Sequence, residues 1–118
     1  MSTTIISIDP RKYRMRFYKT LLQELGSPKY IHLLVNPQTR MLAVRSIPKE
    51  ELGCITINSH VCKDNCYEIY SLALTDQLFK TVGWTDRTIC YRLKGSVCPS
   101  KKIAFFPLDN VEKIAMEA

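Results

Sequence analysis

The segment "MRFYKTLLQELGSPKYIHLLVNPQTRMLAVRS", residues 15–46, reads as one folding unit. Within "YKTLLQELG" (18–26), Leu21, Leu22 and Leu25 fall at i, i+1 and i+4, and Phe17 completes an apolar helical stripe. Gly26 suits the left-handed residue that ends a helix, and Pro28 cannot continue one. Downstream, the apolar runs 30–35 and 41–44 flank "NPQTR", a turn with Pro37 after Asn36, so the pair predicts a hairpin. Upstream, Lys12, Arg14 and Arg16 alternate with Tyr13, Met15 and Phe17. That period of two predicts a strand over 12–17, apolar on one face and cationic on the other. "TTIISI" (3–8) is β-branched and predicts a further strand, broken by Asp9-Pro10.

The same order recurs later in the chain. With Gly26 set over Gly83, Tyr13 falls on Tyr70, Met15 on Leu72 and Phe17 on Leu74. Leu21, Leu22 and Leu25 fall on Leu78, Phe79 and Val82. After one inserted residue Ile31 meets Ile89 and Leu33 meets Tyr91, and further on "LAV" (42–44) meets "IAF" (103–105). "CITIN" (54–58) predicts a short strand, "CYEIYSLAL" (66–74) an extended run, and "TDQLFKTVG" a helix capped by Thr75. Residues 88–109 predict a second hairpin turning near Gly95, Pro99 and Ser100, and "NVEKIAMEA" a weak terminal helix or tail. Residues 1–118 thus form one domain of two pseudo-repeats, 3–48 and 66–109, an internal duplication.

A length of 118 residues fits one domain, and 46% hydrophobic with 24% charged residues is ordinary for a soluble globular protein. No apolar run approaches the ~20 residues that span a bilayer. The N-terminus lacks a basic region ahead of an apolar stretch, so no secretion signal is read and the expected compartment is the cytoplasm. Five cysteines, an odd number, accord with reduced thiols. "HVCKDNC" (His60, Cys62, Cys66) spaces its cysteines C-x3-C with no second pair, so neither metal nor other cofactor is expected. Phosphate-loop, dinucleotide and nucleophile-elbow motifs are missing, acids are scattered, and His32 and His60 lack an acidic partner motif. The chain is therefore read as no enzyme, with no small-molecule substrate evident. Cys62 and Cys66, near Lys63, are the sole reactive-thiol candidates.

The unit at 15–46, with the strand at 3–8 ahead of it, resembles the AbrB type of bacterial transition-state regulator. In that family two short strands, a helix ending in Gly and a hairpin form a unit, and two units interlock their hairpins into one small barrel. A duplicated form in one chain resembles the MraZ proteins, although the D-x-x-x-R pattern of MraZ halves has no match here. The layout also looks like that of short uncharacterised bacterial proteins, a likeness that carries no activity. The resemblance covers about residues 3–46 and 66–109. It implies an α+β fold, a small, mostly β barrel made from two tandem β-β-α-β-hairpin units with two short helices. Such a barrel has physical logic, because one unit of ~50 residues buries its own faces poorly and shared strands close the edges. The expected interior is Tyr13, Met15, Phe17, Leu22, Leu25, Ile31, Leu33, Val44 and their second-half counterparts, with Trp84 packing over one end.

Net charge is +6 with a pI near 9.2. Residues 1–52 carry nine Lys/Arg against four Asp/Glu, and residues 53–118 carry eight against seven. A basic first half points to a polyanionic partner. In the AbrB resemblance, basic residues on the first strands meet DNA, which maps here onto Arg11, Lys12, Arg14 and Arg16. The second copy, "YSLALTD", has no basic residue at the matching place, so either one half binds double-stranded DNA or a homodimer joins two first halves. The sequence reading is therefore a non-enzymatic DNA-binding regulator. The alternative is a small protein-interaction or assembly module without nucleic acid, whose cationic strand face meets solvent or cross-strand acids.

Overall fold

A computed structural model of the chain describes residues 2–57 and 65–115. The first strands are β1 (Ser2–Asp9) and β2 (Arg14–Tyr18), followed by helix α1 (Lys19–Glu24). Strands β3 (Tyr30–Asn36) and β4 (Met41–Ile47) form the first hairpin. Its turn is held by the Asn36 side chain, whose Oδ1 accepts from the amides of Gln38 and Thr39. Then come β5 (Ile55–Thr56), β6 (Cys66–Tyr70), helix α2 (Leu72–Val82), β7 (Ile89–Cys98), β8 (Ile103–Pro107) and β9 (Val111–Ala115). Gly26 and Gly83 follow the two helices with φ of +88° and +81°, the left-handed conformation that glycine adopts without strain.

Among the described residues the nine strands join one sheet, ordered β5-β3-β4-β8-β7-β1-β2-β6, with β9 on β7. The sheet curls into a half-barrel. Its two ends meet where the Tyr67 hydroxyl on β6 donates to the Thr56 carbonyl on β5 at 3.1 Å. Inside the curl lie Ile6, Ile8, Met15, Phe17, Ile31, Leu42, Val44, Leu93, Val97, Ala104 and Phe106 from the strands. Leu21, Leu22, Leu25, Leu78, Phe79 and Val82 join them from the helices. Trp84 stacks on Tyr91 with ring centroids 4.4 Å apart and meets Phe79 edge-on at 5.4 Å.

Several expectations need correction. The strand expected over 12–17 begins at Arg14, because Lys12 and Tyr13 belong to the β1–β2 turn. There Tyr13 has φ +50° and is 40% exposed rather than buried. The run 66–74 is extended only to Tyr70. Ser71, not Thr75, caps α2, its Oγ accepting from the Leu74 amide at 3.1 Å. A residue that caps in this way turns the chain before the Leu72/Leu74 alternation can act as a strand. Met15 and Phe17 are therefore buried strand residues, whereas their sequence counterparts Leu72 and Leu74 lie on α2. Val44 is buried while its counterpart Phe105 is 40% exposed. The inward residues of β8 are Ala104 and Phe106, one position along, and a one-residue slip exchanges the faces of a strand. Finally, Val111–Ala115 is neither helix nor tail but β9, paired with Ile89–Leu93 of β7.

Candidate functional site

Asp9 organises the corner where the cations cluster. It is almost fully buried, and its Oδ1 accepts from the Arg11 amide at 3.1 Å. The Asp9 and Pro10 carbonyls accept from the amides of Lys12 and Tyr13. This turn leaves Arg11 and Lys12 at an exposed tip and delivers Arg14 and Arg16 to the outer face of β2, alternating with buried Met15 and Phe17. Thus Arg14 and Arg16 share one strand face as read from the sequence, and Lys12 does not extend their row.

The two strand arginines meet carboxylates. Arg14 bridges Asp9 Oδ2 at 3.3 Å and Glu68 Oε2 at 3.2 Å, with 15% of its side chain exposed. Arg16 places Nε 2.8 Å from the same Glu68 oxygen and remains 39% exposed. Glu68 stands directly opposite Arg16 on β6. Its hydrogen bond raises the guanidinium pKa above the ordinary arginine value, fixing the charge.

The sheet adds residues that the sequence reading missed. Ser7 on β1 is opposite Arg16 on one side and Arg92 of β7 on the other. Arg92 in turn faces Glu112 on β9, with Nη1 4.0 Å from Oε1. A row therefore runs Glu68, Arg16, Ser7, Arg92, Glu112 across five strands. The short serine between two long arginines opens a cleft of about 160 Å³, also lined by Asp9, Arg14 and Tyr18. The Tyr18 hydroxyl lies 3.5 Å from Ser7 Oγ. Within this region the Nε atoms of Arg14 and Arg92 are buried without a hydrogen-bond partner. Arg92 carries a period-two signal in "CYRLK", where it alternates with Tyr91 and Leu93, but its place beside Arg16 follows only from the pairing of β1 with β7. Cys90 also borders the cleft, and burial, with Asp9 adding to it, pushes its thiol pKa up, away from nucleophilic use.

Elsewhere, His32 on β3 pairs through Nδ1 with Arg45 Nη2 at 3.3 Å. Cys66 is buried at the start of β6, and His60, Cys62 and Lys63 lie outside the described residues. Among the described residues no three His, Cys, Asp or Glu side chains are placed to hold a metal, and no helix is long and apolar enough to cross a membrane. On the remaining outer surface, Leu34, Ala43 and Phe105 form a cross-strand row on β3, β4 and β8, with Leu34 and Phe105 exposed. No family model, curated protein or solved structure matches this chain.

Proposed function

We propose that this protein binds double-stranded DNA through the corner formed by the β1–β2 turn and the outer face of β2, as a duplicated AbrB-like barrel. The observation that carries the binding reading is the charge at that corner. Arg11, Lys12, Arg14 and Arg16 project from one short stretch, and the paired carboxylates beside them are Asp9 and Glu68. The excess cations sit at the tip, where phosphates can reach them and displaced counterions supply affinity. What supports an interlocked barrel is the strand pairing. β1 pairs with β7 of the later hairpin, and β5 pairs with β3 of the earlier one. β2 meets β6 antiparallel, and β4 meets β8 antiparallel. These crossed pairings, between strands early and late in the chain, are of the kind that the resemblance implies. A chain offers one such corner, so a two-sided grip on a duplex takes a homodimer.

The test is duplex binding over a salt series with Arg11, Lys12 and Arg16 changed together to Gln. Arg14 stays, because its position between two carboxylates makes it structural. The expected outcome is weaker binding to all sequences alike, a salt slope lower by ~0.9 per lost phosphate contact, and a nearly unchanged Tm. No binding by the parent protein at ~50 mM salt overturns the reading. It would favour instead an interaction module, to which the exposed Leu34 and Phe105, on either side of buried Ala43, lend support.

A further inference from the structure

We propose that the cleft over Ser7 is a binding site for a single phosphate group. This goes beyond the duplex reading, because the central residues, Ser7, Tyr18 and Arg92, lie outside the corner that reading uses. Neighbouring strands are ~4.8 Å apart, so the backbones of Arg16 and Arg92, on either side of β1, stand about 10 Å from one another. The Arg16 and Arg92 side chains line the cleft on either side of Ser7, each also reaching outward to a carboxylate, Glu68 and Glu112, and the Tyr18 hydroxyl lies 3.5 Å from Ser7 Oγ. These donors come from three neighbouring strands, β2, β1 and β7. A tetrahedral anion with several acceptor oxygens meets that arrangement better than a planar carboxylate, which a single arginine fork satisfies.

Size and charge agree. The cleft of about 160 Å³ opens to solvent and has room for a hydrated phosphate group. Three arginines and one aspartate line it. Asp9 is engaged by Arg14 and by the Arg11 amide, Glu68 by Arg14 and Arg16, and Glu112 approaches Arg92 only at 4.0 Å. Arg92 is the least committed of the three, and its Nε, like that of Arg14, is buried without an acceptor. Both Nε atoms are closed to solvent, so an anion in the cleft is met by terminal guanidinium nitrogens, and those of Arg92 have only the loose 4.0 Å contact to Glu112.

The site is tested by titrating inorganic phosphate against chloride at matched ionic strength, following arginine Nε–H and backbone amide resonances by NMR. The parent protein should show saturable shifts at Ser7, Arg14 and Arg92. Arg92→Gln should bind phosphate at least about tenfold more weakly, with Tm in chloride unchanged because its contact to Glu112 is a loose surface pair. Absence of saturable shifts in the parent, or equal affinity in Arg92→Gln, overturns the site. A duplex arm separates the source of the phosphate. If a backbone phosphate fills the cleft, Arg92→Gln lowers the salt slope of duplex binding by ~0.9 and inorganic phosphate competes. If a free phosphate or phosphomonoester fills it, duplex binding is indifferent to Arg92 while phosphate affinity still falls. Phosphate binding without any duplex binding upholds the cleft and removes the duplex reading; duplex binding without phosphate shifts does the reverse.

Discussion

The two outer surfaces of the one sheet carry opposite chemistry on the same alternating backbone. Across β6, β2, β1, β7 and β9 the outward row is Glu68, Arg16, Ser7, Arg92, Glu112. Across β3, β4 and β8 it is Leu34, Ala43, Phe105. In the first, two pairs of opposite charge, Glu68 with Arg16 and Arg92 with Glu112, flank Ser7 and draw in neighbours from strands distant in sequence. In the second, neighbouring apolar side chains cover one another only in part. The cross-strand row, more than the strand, is the unit in which surface chemistry is written. Register is what separates a charged row from an apolar one.

The largest expected effect lies at the seam between these surfaces. Gly95 is on β7 opposite β1, beside the point where β8 ends its pairing with that strand. A Cβ there would collide with the Phe105 carbonyl and stand 2.5 Å from Phe106 Cδ2. Gly95→Ala should therefore cost about 3 kcal/mol or more, read from urea denaturation, because backbone as well as a buried ring must move. A loss below ~1 kcal/mol would mean that the two surfaces are not held in register through this seam.

A smaller effect separates the surfaces themselves. Glu68→Gln removes the carboxylate that Arg14 and Arg16 share, leaving the mostly buried Arg14 with Asp9 alone. A destabilisation of about 1–2 kcal/mol is expected. Leu34→Ser, on the apolar surface, should stay within ~0.5 kcal/mol. Equal losses for the two variants, measured in the same denaturant series, would erase the energetic contrast.

The finest comparison uses the two ends of β7. Burial pushes the Cys90 thiol pKa above its ordinary value, whereas Ser100, whose Oγ is 3.6 Å from Cys98 Sγ, holds the Cys98 thiol below it. A lowered pKa means more thiolate at a given pH. Alkylation at about pH 8 should therefore mark Cys98 ahead of Cys90, and the gap should narrow as pH rises and Cys90 ionises in turn. Peptide mapping after brief iodoacetamide treatment gives the order, and faster labelling of Cys90 would contradict it.

Much of the fold was legible in local pattern. The stripe of Leu21, Leu22 and Leu25 with Gly26 gave α1, and the apolar runs about "NPQTR" gave the first hairpin. Met15 and Phe17 were correctly placed inside because alternation is strict there. It misled at Tyr13, since Asp9 and Pro10 extend their turn through hydrogen bonds that a period count does not see. β9 escaped notice because "VEKIA" has no period of two, and pairing with β7 decides its conformation. At the candidate site, Arg14 and Arg16 were visible as a cationic row, but their partner Glu68 is 52 residues from Arg16. Arg92 is still farther along the chain, and such neighbours exist only once register is set.

The packing around Trp84 gives the molecule an optical reporter of its own. It is the single tryptophan, and its indole lies nearly parallel to the Tyr91 ring, at 14°, with Phe79 edge-on. Coupled rings held in this way generate near-ultraviolet circular dichroism, and the indole dominates fluorescence. Tyr91 is the cross-strand partner of Ile8, the residue before Asp9. The chromophore thus sits one strand away from the arginine corner, and docking of α2 against β7 can be followed by light alone, with no dye attached.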